Sequence, residues 1–305
     1  MQLSFFDEFS LNRIVNVASV PHRSPFRYPG GKTWLVPHVR KWIASLHRKP
    51  REFIEPFAGG GIISLTVAFE GLADRVTMVE LDNQVAAVWK AVLGRENRWL
   101  ASKILDFDLT MDNVQKELSR TKISMRKKAF ITILRNRINH GGILAPGSGF
   151  IKNGENGKGI KSRWYPATLN KRITDIDQIK EKITFIEGDA LPILQKNAEK
   201  ANAVFFIDPP YTAAGKKAGT RLYSVNELDH EELFRITETL SGDFLMTYDN
   251  ADGVRKLAER HGFDTEIVPM KNTHNAKMTE LLIGRNLEWV RTCREDCHVS
   301  LSQQQ

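Results

Sequence analysis

The chain has 305 residues and a net charge of +8, and 41% of its residues are hydrophobic and 26% charged. This composition is ordinary for a globular protein. The length suits one large α/β domain with an insertion, or two domains. No apolar run approaches the roughly 18 residues that span a bilayer, and the first residues, Met1–Asp7, lack the pattern of a secretory signal. The two cysteines, Cys293 and Cys297, leave no disulfide framework and indicate a reducing, cytoplasmic environment.

The first third of the chain has the alternation of strands and helices that is typical of an α/β sheet. Residues 1–21 are predicted to form a flexible N-terminal arm, and Arg27–Lys32 a turn. Helices are predicted from apolar spacing, and strands from short apolar runs. The predicted helices are Thr33–Leu46, Ile62–Phe69 and Asn83–Leu93, and the predicted strands are Arg51–Ile54 and Val76–Val79.

The alternation then stops, and the next segment is strongly basic. Residues ~95–140 are predicted to be helical, residues 141–163 contain seven glycines and are predicted to form a long mobile loop, and Arg163–Ile179 is predicted to be a helix again. Residues 120–172 contain thirteen Lys or Arg and one acid, a net charge of +12, while the rest of the chain carries −4. This distribution favours a polyanionic partner; the alternative is a solvated basic face.

The last third returns to alternating elements. Strands are predicted at Ile183–Ile186, Val204–Ile207, Phe244–Tyr248, Thr265–Val268 and Thr279–Ile283, with helices at His230–Leu240 and Gly253–His261. A glycine- and lysine-rich loop is predicted at residues 213–221. The polar tail, Cys293–Gln305, is predicted to be disordered.

A glycine-rich loop and three acids indicate a nucleoside-binding site. The loop Glu55–Gly61 lies between a predicted strand and a predicted helix, where glycines allow a ligand to approach the backbone closely. It matches neither the dinucleotide spacing nor the P-loop. Glu80 ends the next strand and is placed to accept ribose hydroxyls, and Asp189 ends another and could accept from an adenine amine. Together these features fit S-adenosylmethionine, although each acid alone is more often a helix cap.

The tetrapeptide Asp208–Tyr211 follows a predicted buried strand. A carboxylate, two prolines and an aromatic ring therefore lie beyond the carboxyl end of a strand, where ligands bind in open α/β sheets. This group suits one chemistry: a flat base is held by stacking while its exocyclic amine is hydrogen-bonded.

In this order the motifs resemble the Dam-like class of adenine-specific DNA methyltransferases of bacteria and phages. The resemblance covers residues 24–284. It rests on Arg27–Lys32, Glu55–Gly61, Glu80, a long insertion and Asp208–Tyr211, with further similarity at Ser162–Pro166, Met246–Asn250 and Thr279–Ile283. The family often has Trp where this chain has Tyr28 and Asp where it has Glu80; both changes keep a stacking ring and a carboxylate.

The resemblance implies a Rossmann-like methyltransferase sheet of seven strands, the last antiparallel, with a mainly helical insertion. It divides the chain into a catalytic domain at 22–94 and 173–290, an inserted DNA target-recognition domain at 95–172, and a disordered tail at 291–305. The catalytic residues expected are Asp208, Pro209, Pro210 and Tyr211. The cofactor-binding residues expected are Tyr28, Gly31, Lys32, Glu55, Phe57, Gly59, Gly61, Glu80, Asp189 and Asp208.

The implied activity is transfer of a methyl group from S-adenosylmethionine to the exocyclic amine of adenine in double-stranded DNA, with base flipping. DNA contacts are expected from Arg126, Lys127, Arg135, Arg137, Lys161 and Arg163. The alternatives are an RNA base-amine methyltransferase and a DNA-binding regulator with an inactive pocket. Methylation at the cytosine 5-carbon needs a cysteine nucleophile and is not expected.

Three smaller signals concern partners and metals. Gln2–Phe6 resembles the short peptides that dock on the DNA sliding clamp, but packing of Phe5, Phe6 and Phe9 against the domain is favoured. Cys293, Cys297 and His298 fall short of a four-ligand zinc site, so we expect no metal. The motifs leave open whether a cognate restriction enzyme exists.

Overall fold

The computed structural model of the chain describes residues 15, 17–27, 31–210, 228–271 and 277–292. Its strands are β1 Glu52–Glu55, β2 Arg75–Glu80, β3 Ile183–Glu187, β4 Ala203–Ile207, β5 Asp243–Asp249, β6 Asp264–Lys271 and β7 Lys277–Gly284. They form one sheet in the order β3-β2-β1-β4-β5-β7-β6. Strands β1 to β5 are parallel to one another, and β7 runs antiparallel to its two neighbours, β5 and β6. The predicted Rossmann-like sheet with an antiparallel last strand is confirmed.

The helices are α1 Val36–Ser45, α2 Ile62–Glu70, α3 Asn83–Leu93, α4 Asn97–Leu105, α5 Met111–Leu118, α6 Met125–Ile138, α7 Pro166–Asp177, α8 Ala190–Lys196, α9 His230–Glu238 and α10 Asp252–Arg260. Asp82 caps α3 by accepting a hydrogen bond from the Gln84 backbone N–H at 2.7 Å, and this helix has the predicted bounds. The short helix α8 was not predicted.

Several helix ends differ from the prediction by one or two residues, and two helices begin three residues later than predicted because other local structure competes. The predicted helix at Thr33 begins as a 3-10 turn, Lys32–Leu35, and becomes α-helical only at Val36. The helix predicted from Arg163 begins at Pro166, after a 3-10 turn at Gly159–Arg163. Proline favours the first turn of a helix because it has no N–H to bond, so α7 starts there.

Side chains from alternate strand positions fill two cores, one on each face of the sheet. Phe53 and Phe206 face the core shared with α1, α2 and α3. Phe205 and Phe244 face the other core, which α8, α9 and α10 cover. Because both faces are covered by helices, the central strand β4 is buried and apolar at every position, as is usual for parallel strands.

The helices of the insertion do not have a core of their own. Phe130 of α6 and Ile173 of α7 belong to the same buried cluster as Phe53 and Phe206 of the sheet. The amide of Asn97 donates to the carbonyls of Val92 at 2.6 Å and Ile173 at 2.8 Å. These contacts fix α4 and α7 to the end of α3, so the helical part of residues 95–172 is built onto the sheet.

Between α6 and α7, the predicted long loop contains short 3-10 turns and an isolated antiparallel bridge between Asn139 and Phe150. In the predicted N-terminal arm, Val17–Ser19 forms a 3-10 turn and Val20 is buried. In the described part of the chain, no helix has both the length and the apolar character needed to cross a membrane. The clamp-like peptide, the 213–221 loop and the Cys293–Gln305 tail lie outside the described residues.

Candidate active site

A cavity of about 1600 Å³ opens at the carboxyl ends of the parallel strands. From β1 the chain crosses to β2 and β3 on one side, whereas β4 and β5 lie on the other. The carboxyl ends of β1 and β4 therefore flank the point where strand order reverses, which is where open α/β sheets bind ligands. Glu55, at the end of β1, and Asp208, after β4, both line the cavity.

The carboxylate of Asp208 is held by side chains from two other elements. Its Oδ1 atom accepts a hydrogen bond from Thr247 Oγ1 at 2.7 Å and lies 3.1 Å from Lys32 Nζ. The ammonium of Lys32 also lies 3.4 Å from Glu280 on β7, and both Lys32 and Glu280 are buried. A buried, charge-assisted network therefore fixes the orientation of the Asp208 carboxylate beside the cavity.

The glycine-rich loop after β1 is fixed to the end of β2. The backbone N–H of Gly59 donates to Glu80 Oε2 at 2.9 Å, and the indole of Trp89 donates to the Gly59 carbonyl at 2.9 Å. Gly61 has φ = 61°, and a Cβ there would come within 2.7 Å of both Met78 and Trp89. The loop therefore requires glycine at position 61 for both backbone conformation and space.

Two buried acids of this wall have raised pKa values. Burial raises the pKa of Glu55 to about 8. The hydrogen bond that its carboxylate accepts from the Ser64 backbone N–H at 3.0 Å acts in the other direction and lowers the pKa, but by less. Burial likewise raises the pKa of Glu80 to about 7, although Oε1 accepts from the Asp82 N–H at 2.8 Å. Perturbed carboxyl groups in one cavity are a common feature of functional sites.

The structure brings together most of the residues expected to bind the cofactor. Those that line the cavity are Gly31, Lys32, Glu55, Phe57, Gly59, Gly61, Glu80, Asp189 and Asp208. Asp189 also caps α8, accepting from the Leu191 N–H at 3.1 Å, and its role towards an adenine amine stays a prediction. Of the expected catalytic residues, Asp208 and Pro210 line the cavity. Tyr28 and Tyr211 lie outside the described residues.

The residues expected to bind DNA fall into two groups. Arg137 and Arg163 line the cavity. The other four are Arg126, Lys127, Arg135 and Lys161, which are not among the residues that line it. Arg135 donates to the Gln84 side chain at 3.2 Å, and Lys161 is exposed.

Sequence reasoning missed the partners that position the site. Thr247 and Glu280 lie in the segments Met246–Asn250 and Thr279–Ile283, whose similarity to the family gave them no role. Arg27 and Arg172 also line the cavity and were not predicted as site residues. Thr247 and Glu280 could have been found as polar residues next to the ends of predicted strands. Nothing in the sequence pattern distinguishes Arg27 and Arg172 from other arginines.

The amino-acid sequence matches the model of one protein family. The model of the D12 class N6 adenine-specific DNA methyltransferases matches residues 28–275. The chain belongs to this family, and the Dam-like resemblance is confirmed. It is a member of a family of enzymes, and methyltransferase activity follows from that membership. No curated protein matches the chain in sequence.

Among solved structures, the chain is similar to other methyltransferases at low identity. The rRNA methyltransferase aviRa from Streptomyces viridochromogenes is 12% identical, with 94% of this chain and 98% of that chain covered and a TM-score of 0.42. A methyltransferase from Geobacter sulfurreducens is 14% identical, with 85% and 80% covered and a TM-score of 0.36. TYW2 of P. horikoshii in complex with MeSAdo is 9% identical, with 88% and 65% covered and a TM-score of 0.30.

Proposed function

We propose that this chain transfers the methyl group of S-adenosylmethionine to the exocyclic amine of adenine in double-stranded DNA. The observation that carries the proposal is the fixed carboxylate of Asp208 at the edge of a cavity whose neighbouring wall is the Gly59–Gly61 loop with Glu80. The family supports the same reaction.

The proposed task of Asp208 and Pro209 is to orient a weakly nucleophilic amine. The lone pair of the adenine amine is delocalised into the ring. Hydrogen bonds from its two N–H groups to the Asp208 carboxylate and the Pro209 carbonyl favour a pyramidal nitrogen. Because Lys32 and Thr247 already hold the carboxylate, little reorganisation is needed as charge develops. Tyr211 is proposed to stack on the base, with Pro210 shaping the same edge.

The residues of the neighbouring wall fit an adenosine-containing cofactor. Glu80 is an acceptor for ribose hydroxyls and Asp189 for an adenine amine, and the glycine loop admits a ligand to the backbone. Lys32, Gly31, Glu55 and Phe57 complete this wall, and Tyr28 is proposed to stack against the ligand. When bound, S-adenosylmethionine supplies an electrophilic methyl group.

The basic insertion supports DNA as the substrate. A base inside a duplex cannot reach a cavity at the edge of the sheet, so the target adenine is proposed to be flipped out. The net charge of +12 over residues 120–172 suits a phosphate backbone. A sliding clamp and a cognate restriction enzyme remain candidate partners, and a cytoplasmic location on DNA is the corresponding proposal.

The proposal is tested by single-molecule sequencing of DNA from cells that express the chain. We expect N6-methyladenine in one sequence context with the wild type and none with Asp208→Ala. Asp252→Asn is the matched control, because Asp252 is exposed on α10 and pairs with Arg255; it should methylate like the wild type. Methyladenine that persists in Asp208→Ala would overturn the mechanism. Unmodified DNA together with a modified base amine in RNA would favour the RNA alternative.

A further inference from the structure

The basic side chains of the insertion differ in what they contact. The guanidinium of Arg126 lies 3.5 Å from Glu96 and stacks on Trp99 at 4.9 Å. The ammonium of Lys127 lies 3.9 Å from Glu117, a buried acid that also binds Arg120 at 2.7 Å. These two cations therefore contribute to the packing of α4, α5 and α6, and they are not among the residues that line the cavity.

Another set of arginines forms one wall of the cavity: Arg27, Arg137, Arg163 and Arg172. Arg137, at the end of α6, is 4% exposed, donates from Nη2 to the Pro25 carbonyl, and has no hydrogen-bond partner at Nε. Arg172 donates from Nη1 to the neighbouring Ser24 carbonyl at 3.0 Å. Two adjacent carbonyls therefore hold two guanidinium groups side by side.

Two arginines of this wall, Arg137 and Arg172, have no acid beside them: in the part of the chain that the structure describes, neither lies within ion-pair distance of a carboxylate. Burial lowers the pKa of Arg137 to about 9, and the nearby guanidinium groups of Arg172, Arg27 and Arg163 act in the same direction. A buried charge is costly unless it is paired, so the guanidinium groups of Arg137 and Arg172 are arranged to receive an anion.

We propose that Arg137 and Arg172, with Arg27 and Arg163, bind a phosphodiester of the DNA strand next to the flipped adenine. This subsite rests on the proposed function. Guanidinium groups match phosphate oxygens in a fork geometry. The volume of about 1600 Å³ exceeds the roughly 300–1,000 Å³ of a site for one small ligand. The cavity therefore has room for a cofactor and a nucleotide, with acids on the strand-end wall and arginines on the insertion wall.

The test uses two ligand pairs: the first differs in its two phosphate groups, and the second in the carboxylate and ammonium of the amino-acid moiety. Deoxyadenosine 3′,5′-bisphosphate is compared with deoxyadenosine, and S-adenosylhomocysteine with 5′-methylthioadenosine, by calorimetry. Arg172→Gln should lower the affinity for the bisphosphate about tenfold, the effect of one charge-assisted contact, and leave the other three ligands within twofold. Arg260→Gln is the matched control, because Arg260 is exposed on α10 and pairs with Glu231, and it should leave all four affinities unchanged.

A second variant protects the test against misfolding. Arg137→Lys keeps a positive charge in the buried position but loses the fork, so it should also weaken the bisphosphate selectively. Unchanged bisphosphate affinity in both variants would overturn the subsite. Selective loss of S-adenosylhomocysteine would overturn it as well, because the arginines would then hold the cofactor carboxylate. Neither readout requires turnover, so a failed subsite is distinguished from a chain that does not methylate DNA.

Discussion

The buried Lys32 and the half-buried Asp208 form an ion pair, with Nζ 3.1 Å from Oδ1, although one residue precedes the first strand of the sheet and the other follows the fourth. The same ammonium lies 3.4 Å from Glu280, so one cation serves two carboxylates. This lysine therefore connects the 3-10 turn Lys32–Leu35, the carboxyl end of β4 and the antiparallel strand β7.

Replacement of Lys32 by Met should lower both stability and methyl transfer. It leaves two carboxylates without their cation, and breaking a buried pair typically costs about 3–5 kcal/mol. In Lys32→Met/Glu280→Gln the excess charge is removed, so thermal stability should partly recover while the rate stays at least roughly 100-fold low, about 2.7 kcal/mol. Melting temperature and transfer of a labelled methyl group measure the two effects. Full recovery of activity in the double variant would contradict the role of Lys32.

Thr247→Val should lower the rate without unfolding the protein. The substitution nearly conserves shape and removes the 2.7 Å hydrogen bond to Asp208, so we expect a loss of about tenfold in kcat. Thr237→Val is the matched control, because Thr237 is equally buried but donates to the Leu233 carbonyl within α9. Steady-state kinetics at saturating cofactor should show a kcat effect for Thr247 alone; equal kcat losses in both variants would refute this assignment.

A comparison of Gly61→Ala with Gly71→Ala, at the two ends of α2, separates the steric cost of an added Cβ from the cost of a strained backbone. Both glycines flank α2 with positive φ, 61° and 63°. A Cβ at Gly61 meets Met78 and Trp89 within 2.7 Å, whereas at Gly71 nothing lies within 4 Å. Gly71→Ala should cost only the strain, about 1 kcal/mol. Gly61→Ala should cost about 1–3 kcal/mol more, since overpacking adds to strain. Urea denaturation measures both, and equal losses would exclude the steric contribution.

The raised pKa values predict a stability that falls with pH. Glu55 has a pKa of about 8 in the folded chain against an ordinary 4.5, so the folded state holds its proton more tightly. The stabilisation that comes from the protonated Glu55 is complete below pH 4.5 and is lost as the pH rises towards 8. Over this range the unfolding free energy falls by up to about 1.4 kcal/mol per pH unit. In Glu55→Gln the unfolding free energy should still fall with pH up to about pH 7, because Glu80 titrates there with a pKa of about 7. Between pH 7 and 8 the unfolding free energy of this variant should no longer change with pH. Unfolding free energies at several pH values test this, and coincident wild-type and variant profiles would contradict it.

Local patterns predicted the sheet well, because short apolar runs and helix caps act within a few residues. Asp82 and the apolar spacing after it define α3 fully. The seven-residue α8 escaped prediction because it is too short for a periodic pattern. The carboxylates were predicted from their places at strand ends, but Thr247, Glu280 and Arg172 acquire their roles only through packing between distant segments. The Ser24 carbonyl that holds Arg172 is 148 positions away.

The shared core of sheet and insertion limits how new sequence specificity can evolve. Phe130 and Ile173 pack in the same cluster as Phe53, so a chimaera that exchanges all of residues 95–172 with a relative has to match helix faces that were shaped by a different sheet. An exchange confined to residues 140–161, between α6 and α7, leaves those helix faces intact and has to preserve the packing of Leu144, Phe150 and Ile160 against the same cluster. Diversification of the target sequence should therefore accumulate in that stretch, while the surrounding helices are inherited with the catalytic sheet.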